Sequence, residues 1–454
     1  MPTTLLANGL VPNFSTGKLV ERDVLVDGAL IADVELPGRL AADEVVDCSG
    51  RIVSPGFIDV HMHEEDVASA RGWQIGRLMA RMGVTTCLAG NCGQSPQGIE
   101  VFSRWAAAQG GAPTNYLLLA GYNTYRERQG LGPYDAASPA QQRSTREAVL
   151  REVEAGALGV SFGLEYDPGI TTEEMTEAVR EVAQYDPFVS IHFRRDCDGA
   201  ADSIREMAGL SRETGVRVQV SHLSSLAGYG YMDEALELLA KEMAENPRLS
   251  FDTYPYEAFC TTIGSAVFDV DWRSKWHCDY DAVLFEGMPY RGQRATRETF
   301  EEVRRNHPEQ YVICFAMTRH DIDAAIASPL GLVCSDGSVE EGTCHPRAAG
   351  TFPRVLGRYA RDRGVIGLMP ALRKMTLSAA RRLGVDGRKG TVEPGKDADL
   401  VVFDPTTIAD GSTFESPTDA PRGIDLVMVA GQPVWRDGAD TSALPGRVLR
   451  WQDL

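Results

Sequence analysis

From residue 52 onward, short runs rich in apolar and β-branched residues alternate with longer stretches in which apolar positions recur every three or four residues. The runs are 52-IVSPGFIDVHMH, 83-GVTTCLAGN, 115-NYLLLAGY, 157-ALGVSFGLEY, 188-FVSIHFR, 217-RVQVSHL, 249-LSFDTYPY and 331-GLVCSDG, and each reads as a strand. Between them, 145-TREAVLREVEAG, 172-TEEMTEAVREVAQY, 202-DSIREMAGLSRETG and 232-MDEALELLAKEMAEN carry helical spacing, often closed by a Gly or Asn. Strand then helix, eight times over, predicts an α/β fold with a parallel (β/α)8 barrel of the TIM type over residues 55–389. Residues 1–54 and 390–454 instead show short alternating runs, such as 19-LVERDVLVDGALIADVE and 399-DLVVFDP, without helix signals. Neither end is long enough to bury a core alone, so the two are expected to pair into one small β-sandwich beside the barrel. The stretch 257–330 is long for a strand-to-strand connection and carries Trp272, Trp276 and Tyr280, which makes it an insertion, either a lid over the mouth or added packing.

The residues that end these strands carry the chemistry. His61 and His63 end the first, Cys92 follows the second, Glu165 ends the fourth, His192 the fifth, His222 the sixth, Tyr254 and Tyr256 the seventh, and Asp336 the eighth. In such a barrel the active site lies at the carboxyl ends of the strands. One buried His at a strand end is most often a satisfied core residue; four His, a Cys and an Asp delivered to one mouth point to a metal. In His61-x-His63 the two imidazoles share a face because side chains alternate along a strand. Imidazole, thiolate and carboxylate ligands together suit Zn²⁺, and a catalytic zinc keeps one position open for water.

Composition narrows the function further. The 454 residues include 45 Lys+Arg against 64 Asp+Glu, a formal charge of −19, so neither nucleic acid nor an anionic membrane is an expected partner. With 43% hydrophobic and 24% charged residues the chain reads as an ordinary globular protein. Its first residues, MPTTLLANGLVPNFS, lack the basic and apolar regions of a signal peptide, and the nine cysteines form no regular framework, so the expected compartment is the cytoplasm with reduced thiols. Of the other histidines, 277, 307 and 320 lack strand-end context, while His345 adjoins the turn that carries Arg347.

The string 55-PGFIDVHMH resembles the first-strand signature of the amidohydrolase superfamily, and 390-GTVEPGKDADLVVFDP resembles its return into the sandwich. More specifically, 85-TTCLAGNCG, 156-GALGVSFGLEYDPG, 219-QVSHL, 252-DTYPY, 334-CSDG and 344-CHPRAAGTFPRVLGRY resemble the N-acyl-D-amino-acid deacylase (D-aminoacylase) family, in order over nearly the whole chain. The resemblance implies zinc-dependent hydrolysis of an N-acyl-D-amino acid by metal-bound hydroxide, giving a carboxylate and a D-amino acid. It implies metal ligands at His61, His63, Cys92, His192, His222 and Asp336. Cys92, His192 and His222 would hold one tight zinc, with a second, weaker site at His61 and His63. Asp336 would be the catalytic base and acid that carries a proton from water to the leaving nitrogen. Glu165 stands near the place where many amidohydrolases have a carboxylated Lys, which leaves open whether it bridges metals, hydrogen-bonds to the centre, or does neither.

For the substrate, the resemblance places Arg347 on the α-carboxylate, with Tyr254 or Tyr256 offering a hydroxyl to the developing oxyanion. Where the family commonly has SHHK, this chain has 221-SHLS, so Ser224 replaces a substrate-holding Lys. An additional Arg in 191-IHFRRDCDG makes Arg194 or Arg195 a candidate for the missing charge contact. Side-chain preference and association with further copies of the chain stay open. Two other readings are a cyclic amidohydrolase of the hydantoinase or dihydroorotase kind, against which GNCG and the missing fourth-strand Lys argue, and a barrel that binds without catalysing, against which the filled ligand positions argue.

Overall fold

A computed structural model describes residues 2–68, 71–339 and 344–454. Eight parallel strands, Phe57–Asp59, Val84–Ala89, Asn115–Gly121, Gly159–Gly163, Phe188–His192, Arg217–Val220, Leu249–Thr253 and Leu332–Val333, form one sheet in chain order. Seven of them are buried along their whole length, and only Arg217 on the sixth is half-buried, which is why they read as near-continuous apolar runs. The sheet closes on itself where Met62 pairs in parallel with Gly337. Two hydrogen bonds carry that closure: His63 N–H donates to the Gly337 carbonyl at 2.9 Å, and Asp336 N–H donates to the His61 carbonyl at 2.8 Å.

The four sequence-read helices are present as Pro139–Glu154, Thr172–Val182, Ala200–Thr214 and Met232–Glu245. Thr171 caps the second by accepting from Glu174 N–H, and Gly215 ends the third in the left-handed region.

The first predicted strand divides. Ile52–Pro55 pairs antiparallel with Leu400–Phe403 in a second sheet, and only Phe57–Asp59 enters the barrel. Pro55 has no N–H to donate, and Gly56 passes so close to Thr85 that a Cβ would lie 2.0 Å from its Oγ1. The second sheet has nine strands drawn from both chain ends, around a core that includes Leu6, Val24, Ile31, Val53, Leu400 and Met428. Asp399 ties it to the barrel, accepting from Asn115 Nδ2 at 3.0 Å and from Ala430 N–H at 2.8 Å.

Residues 257–330 contain a three-stranded antiparallel sheet of Phe259–Thr262, Val283–Phe285 and Tyr311–Cys314. Phe268, Trp272, Trp276 and Phe300 pack edge to face beside it. The insertion's apolar side chains join the barrel's core, with Trp276 stacked on Tyr229, and its first strand walls the barrel mouth. Among the described residues no helix is long and apolar enough to cross a membrane.

Candidate metal centre

Cys92, His222 and Asp336 each stand just past the end of a barrel strand with positive φ (54°, 32° and 50°). Left-handed backbone costs a non-glycine residue roughly 1–2 kcal/mol. Three such residues at one mouth are held there by their surroundings, as strained functional positions are. Gly93 makes the turn after the second strand possible: its φ is +76°, and a Cβ would lie 1.8 Å from Asn123 Oδ1.

These turns bring donor atoms together. Single ligand atoms of His61, Cys92, His222 and Asp336 all lie within 4.8 Å of one another, and all four residues are buried. Cys92 Sγ is 3.4 Å from His61 Nε2, 3.4 Å from His222 Nε2 and 3.8 Å from His192 Nδ1. His192 Nδ1 and His222 Nε2 are 3.0 Å apart. A tetrahedral zinc about 2.3 Å from sulfur and about 2.0 Å from nitrogen separates such donors by roughly 3.5 Å, so the spacing fits that ion. His63 reaches the group from the mouth side, with Nε2 3.3 Å from Asp336 Oδ1, which is also 3.5 Å from His61 Nε2.

The electrostatics agree with a cation. Burial pushes His192 and His222 down to about 3 and His61 well below 6.5, so all three imidazoles are neutral and carry a lone pair at pH 7. Burial pushes the Cys92 thiol well above its usual value, and a coordinating metal is what deprotonates a thiol in such surroundings. Burial alone would raise Asp336, but the Arg347 guanidinium and the facing histidines hold it well below 3.8. The outer ring nitrogens of His192 and His222 are partnered as ligand histidines require, whereas His61 Nδ1 has no hydrogen bond among the described residues. Ser225 Oγ lies 2.8 Å from His222 Nδ1, Asp252 Oδ1 lies 3.6 Å from His61 Nδ1, and Glu165 Oε2 lies 3.2 Å from His192 Nε2.

Glu165 therefore stands behind His192 and outside the converging donor group. Burial raises its carboxyl, against which Lys275 acts.

Arg347 begins a helix at Arg347–Arg354, buried, with Nη1 2.8 Å from Asp336 Oδ2 and its guanidinium 4.8 Å over the Tyr254 ring. Its Nε, the Tyr254 hydroxyl and the Ser224 hydroxyl are buried without a hydrogen-bond partner among the described residues. The mouth opens into a cavity of about 410 Å³ lined by His63, Cys92, Tyr166, Thr261, Asp336 and Arg347 among others.

Three candidates are not brought to this mouth. Tyr256 lies under Arg354 and donates its hydroxyl to the Pro346 carbonyl, 3.3 Å away. Arg194 is engaged by Glu206 at 2.8 Å and by the Ile170 carbonyl at 2.7 Å, and Arg195 is paired outside with Asp198. His345 stands behind Arg347, whose N–H donates to its Nδ1 at 3.0 Å.

The structure adds residues with little sequence signal. Asp252 opens the DTYPY string but holds His222 N–H at 2.7 Å from beneath the centre. Tyr166 follows Glu165 beyond the fourth strand and lines the cavity, whereas Thr261 and Lys275 arrive from the insertion.

An amidohydrolase family profile matches residues 44–435. The chain is 32% identical to the D-aminoacylase of Alcaligenes xylosoxydans xylosoxydans over 98% of its length and 97% of that protein's. It superposes on a D-aminoacylase described by its binuclear metal centre, with one-metal activation and second-metal attenuation, at TM-score 0.87 and 29% identity, covering 98% of this chain and 99% of that one. The N-acyl-D-glutamate deacylase of Bordetella bronchiseptica, complexed with zinc and a phosphonate mimic of the tetrahedral intermediate, superposes with the same TM-score and coverage at 28% identity.

Proposed function

From its membership of the amidohydrolase family, to which this chain belongs, we propose that the protein hydrolyses the amide of N-acyl-D-amino acids with zinc, releasing a carboxylate and a D-amino acid. The observation that carries the reading is the convergence of a thiol, imidazoles and a carboxylate at the mouth, with Arg347 ion-paired to that carboxylate. Cys92, His192 and His222 are assigned to one zinc, and His61, His63 and Asp336 to a second position. Bound zinc would supply a Lewis acid for the acyl oxygen and lower the pKa of water to about 7.

The chain's own residues supply the rest. Asp336, kept ionised by Arg347, accepts a proton from the attacking water and returns it to the amide nitrogen as the C–N bond breaks; hydroxide adds to the acyl carbon and the amine leaves neutral. Arg347 has donors left after its contact with Asp336, and the unpartnered Nε, Tyr254 hydroxyl and Ser224 hydroxyl are matched to the substrate's α-carboxylate. Selectivity for the D-isomer is supported by the relatives alone. Cytoplasmic action is consistent with nine cysteines that are all free.

The test is a panel of N-acetyl-D- and N-acetyl-L-amino acids offered to zinc-loaded enzyme. Turnover of at least one D-substrate, with its L-isomer slower, is expected. Turnover of hydantoins or dihydroorotate with none on the panel overturns the reading.

A further inference from the structure

Besides the strand Phe259–Thr262 that lines the mouth, the insertion brings a charged side chain to the carboxylate behind His192. Lys275 lies on the short helix Trp272–Trp276, and its Nζ is 3.2 Å from Glu165 Oε1 and 2.8 Å from Asp196 Oδ1. The ammonium also sits 4.8 Å over the Trp276 ring, while Trp276 Nε1 donates to Asp196 Oδ2 at 2.7 Å. Glu165 thus has one oxygen on Lys275 and the other on His192 Nε2, so His192 is gripped on its outer nitrogen while Nδ1 faces Cys92 and His222. Phe193 stacks on the imidazole and Tyr166 lies tilted against it, both with centroids at 4.3 Å, leaving Glu165 as the polar anchor of its outer nitrogen. Without the ammonium, Glu165 would stand in a recess walled by Phe193, Tyr229 and Trp276 with one oxygen unpaired, a cost it escapes by turning away from His192.

We propose that Lys275 is a positioning residue that fixes His192 through Glu165, so that the insertion sets how tightly the centre holds zinc. Outer partners of ligand histidines typically contribute 10–100-fold to metal affinity. The inference rests on His192 being a zinc ligand, and it does not depend on which amide is the substrate.

The experiment measures the zinc dissociation constant of the full chain by competition with a chromophoric chelator, with melting temperatures taken in parallel. Lys275→Met and Glu165→Gln should each bind zinc about 10–100-fold more weakly. The double variant should lose no more than the larger single loss, because both act on one contact. A folded Lys275→Met within twofold of wild-type affinity, or losses that add in the double variant, overturns the proposal. If Lys275→Met does not fold, Glu165→Gln decides on the same twofold criterion. A wild-type chain without tight zinc removes His192 as a ligand, and this inference with it. Failure of every N-acyl-D-amino acid with zinc affinity behaving as expected overturns only the substrate reading.

Discussion

Two buried charge clusters flank the proposed zinc ligands and differ in how completely they are satisfied. On one side Asp336 and Arg347 form an ion pair beside orphaned donors, the Arg347 Nε and the hydroxyls of Tyr254 and Ser224. On the other, Glu165, Lys275 and Asp196 use every carboxylate oxygen, with His192 and Trp276 completing the set. Leaving a buried donor unpaired costs about 1–3 kcal/mol, so the first cluster is built for a ligand that arrives, whereas the second is complete without one. In the proposed mechanism the open cluster serves chemistry and substrate, and the closed one serves alignment.

Variants should break this contrast in order of size. Cys92→Ala, which removes the thiol shared by both clusters' neighbours, should abolish tight zinc and turnover together, seen by metal analysis and a deacylase assay on the same sample. Asp336→Asn should lower kcat by about 10²–10⁴-fold, the range for a lost general base, while tight zinc stays bound. Near-normal rates in that variant would reassign the proton transfer. Arg347→Lys keeps the charge but not the fork, and kcat/KM should fall about 30–100-fold, mostly through KM.

A third buried charge gives the smallest effect. Lys374 Nζ donates to the Ile326 carbonyl, and burial pushes the amine down to about 7. Its folded value lies below the unfolded value near 10.5, so the unfolded chain binds the extra proton between those values and stability rises with pH from about 7 to 10.5. Lys374→Met should flatten that slope and raise stability at pH 7 by on the order of 1–3 kcal/mol, measured by denaturant unfolding at several pH values.

What was legible in the sequence follows from what local pattern encodes. The eight barrel strands were readable because each is a short buried run, and the convergence of His61, Cys92, His222 and Asp336 was readable because chain order places strand ends at one mouth. The direction of a side chain beyond its strand was not. Tyr254 and Tyr256 would share a face on a continuing strand, but regular pairing ends at Thr253 and Pro255 intervenes, so Tyr256 turns under Arg354. Arg194 looked available for a carboxylate until Glu206, on the following helix, supplied one. Lys275 lies 110 residues after the Glu165 it pairs with, inside a segment without strand-end pattern, and nothing local announces such a contact. The division at Gly56 was hidden because both halves of the run are equally apolar; only the partner sheets tell them apart.

The seam between the first and last barrel strands carries a consequence for the order of events in folding. His63 and Asp336 meet across 273 residues of chain, beside the hydrogen bonds that close the barrel. Such a contact costs more loop entropy than any pairing of neighbouring strands, so it forms late. A chain still short of closure holds Cys92, His192 and His222 without the carboxylate that completes the mouth. With the proposed ligands, full metal occupancy would mark the end of assembly, and zinc supplied during refolding should speed the final step and leave the early ones unchanged.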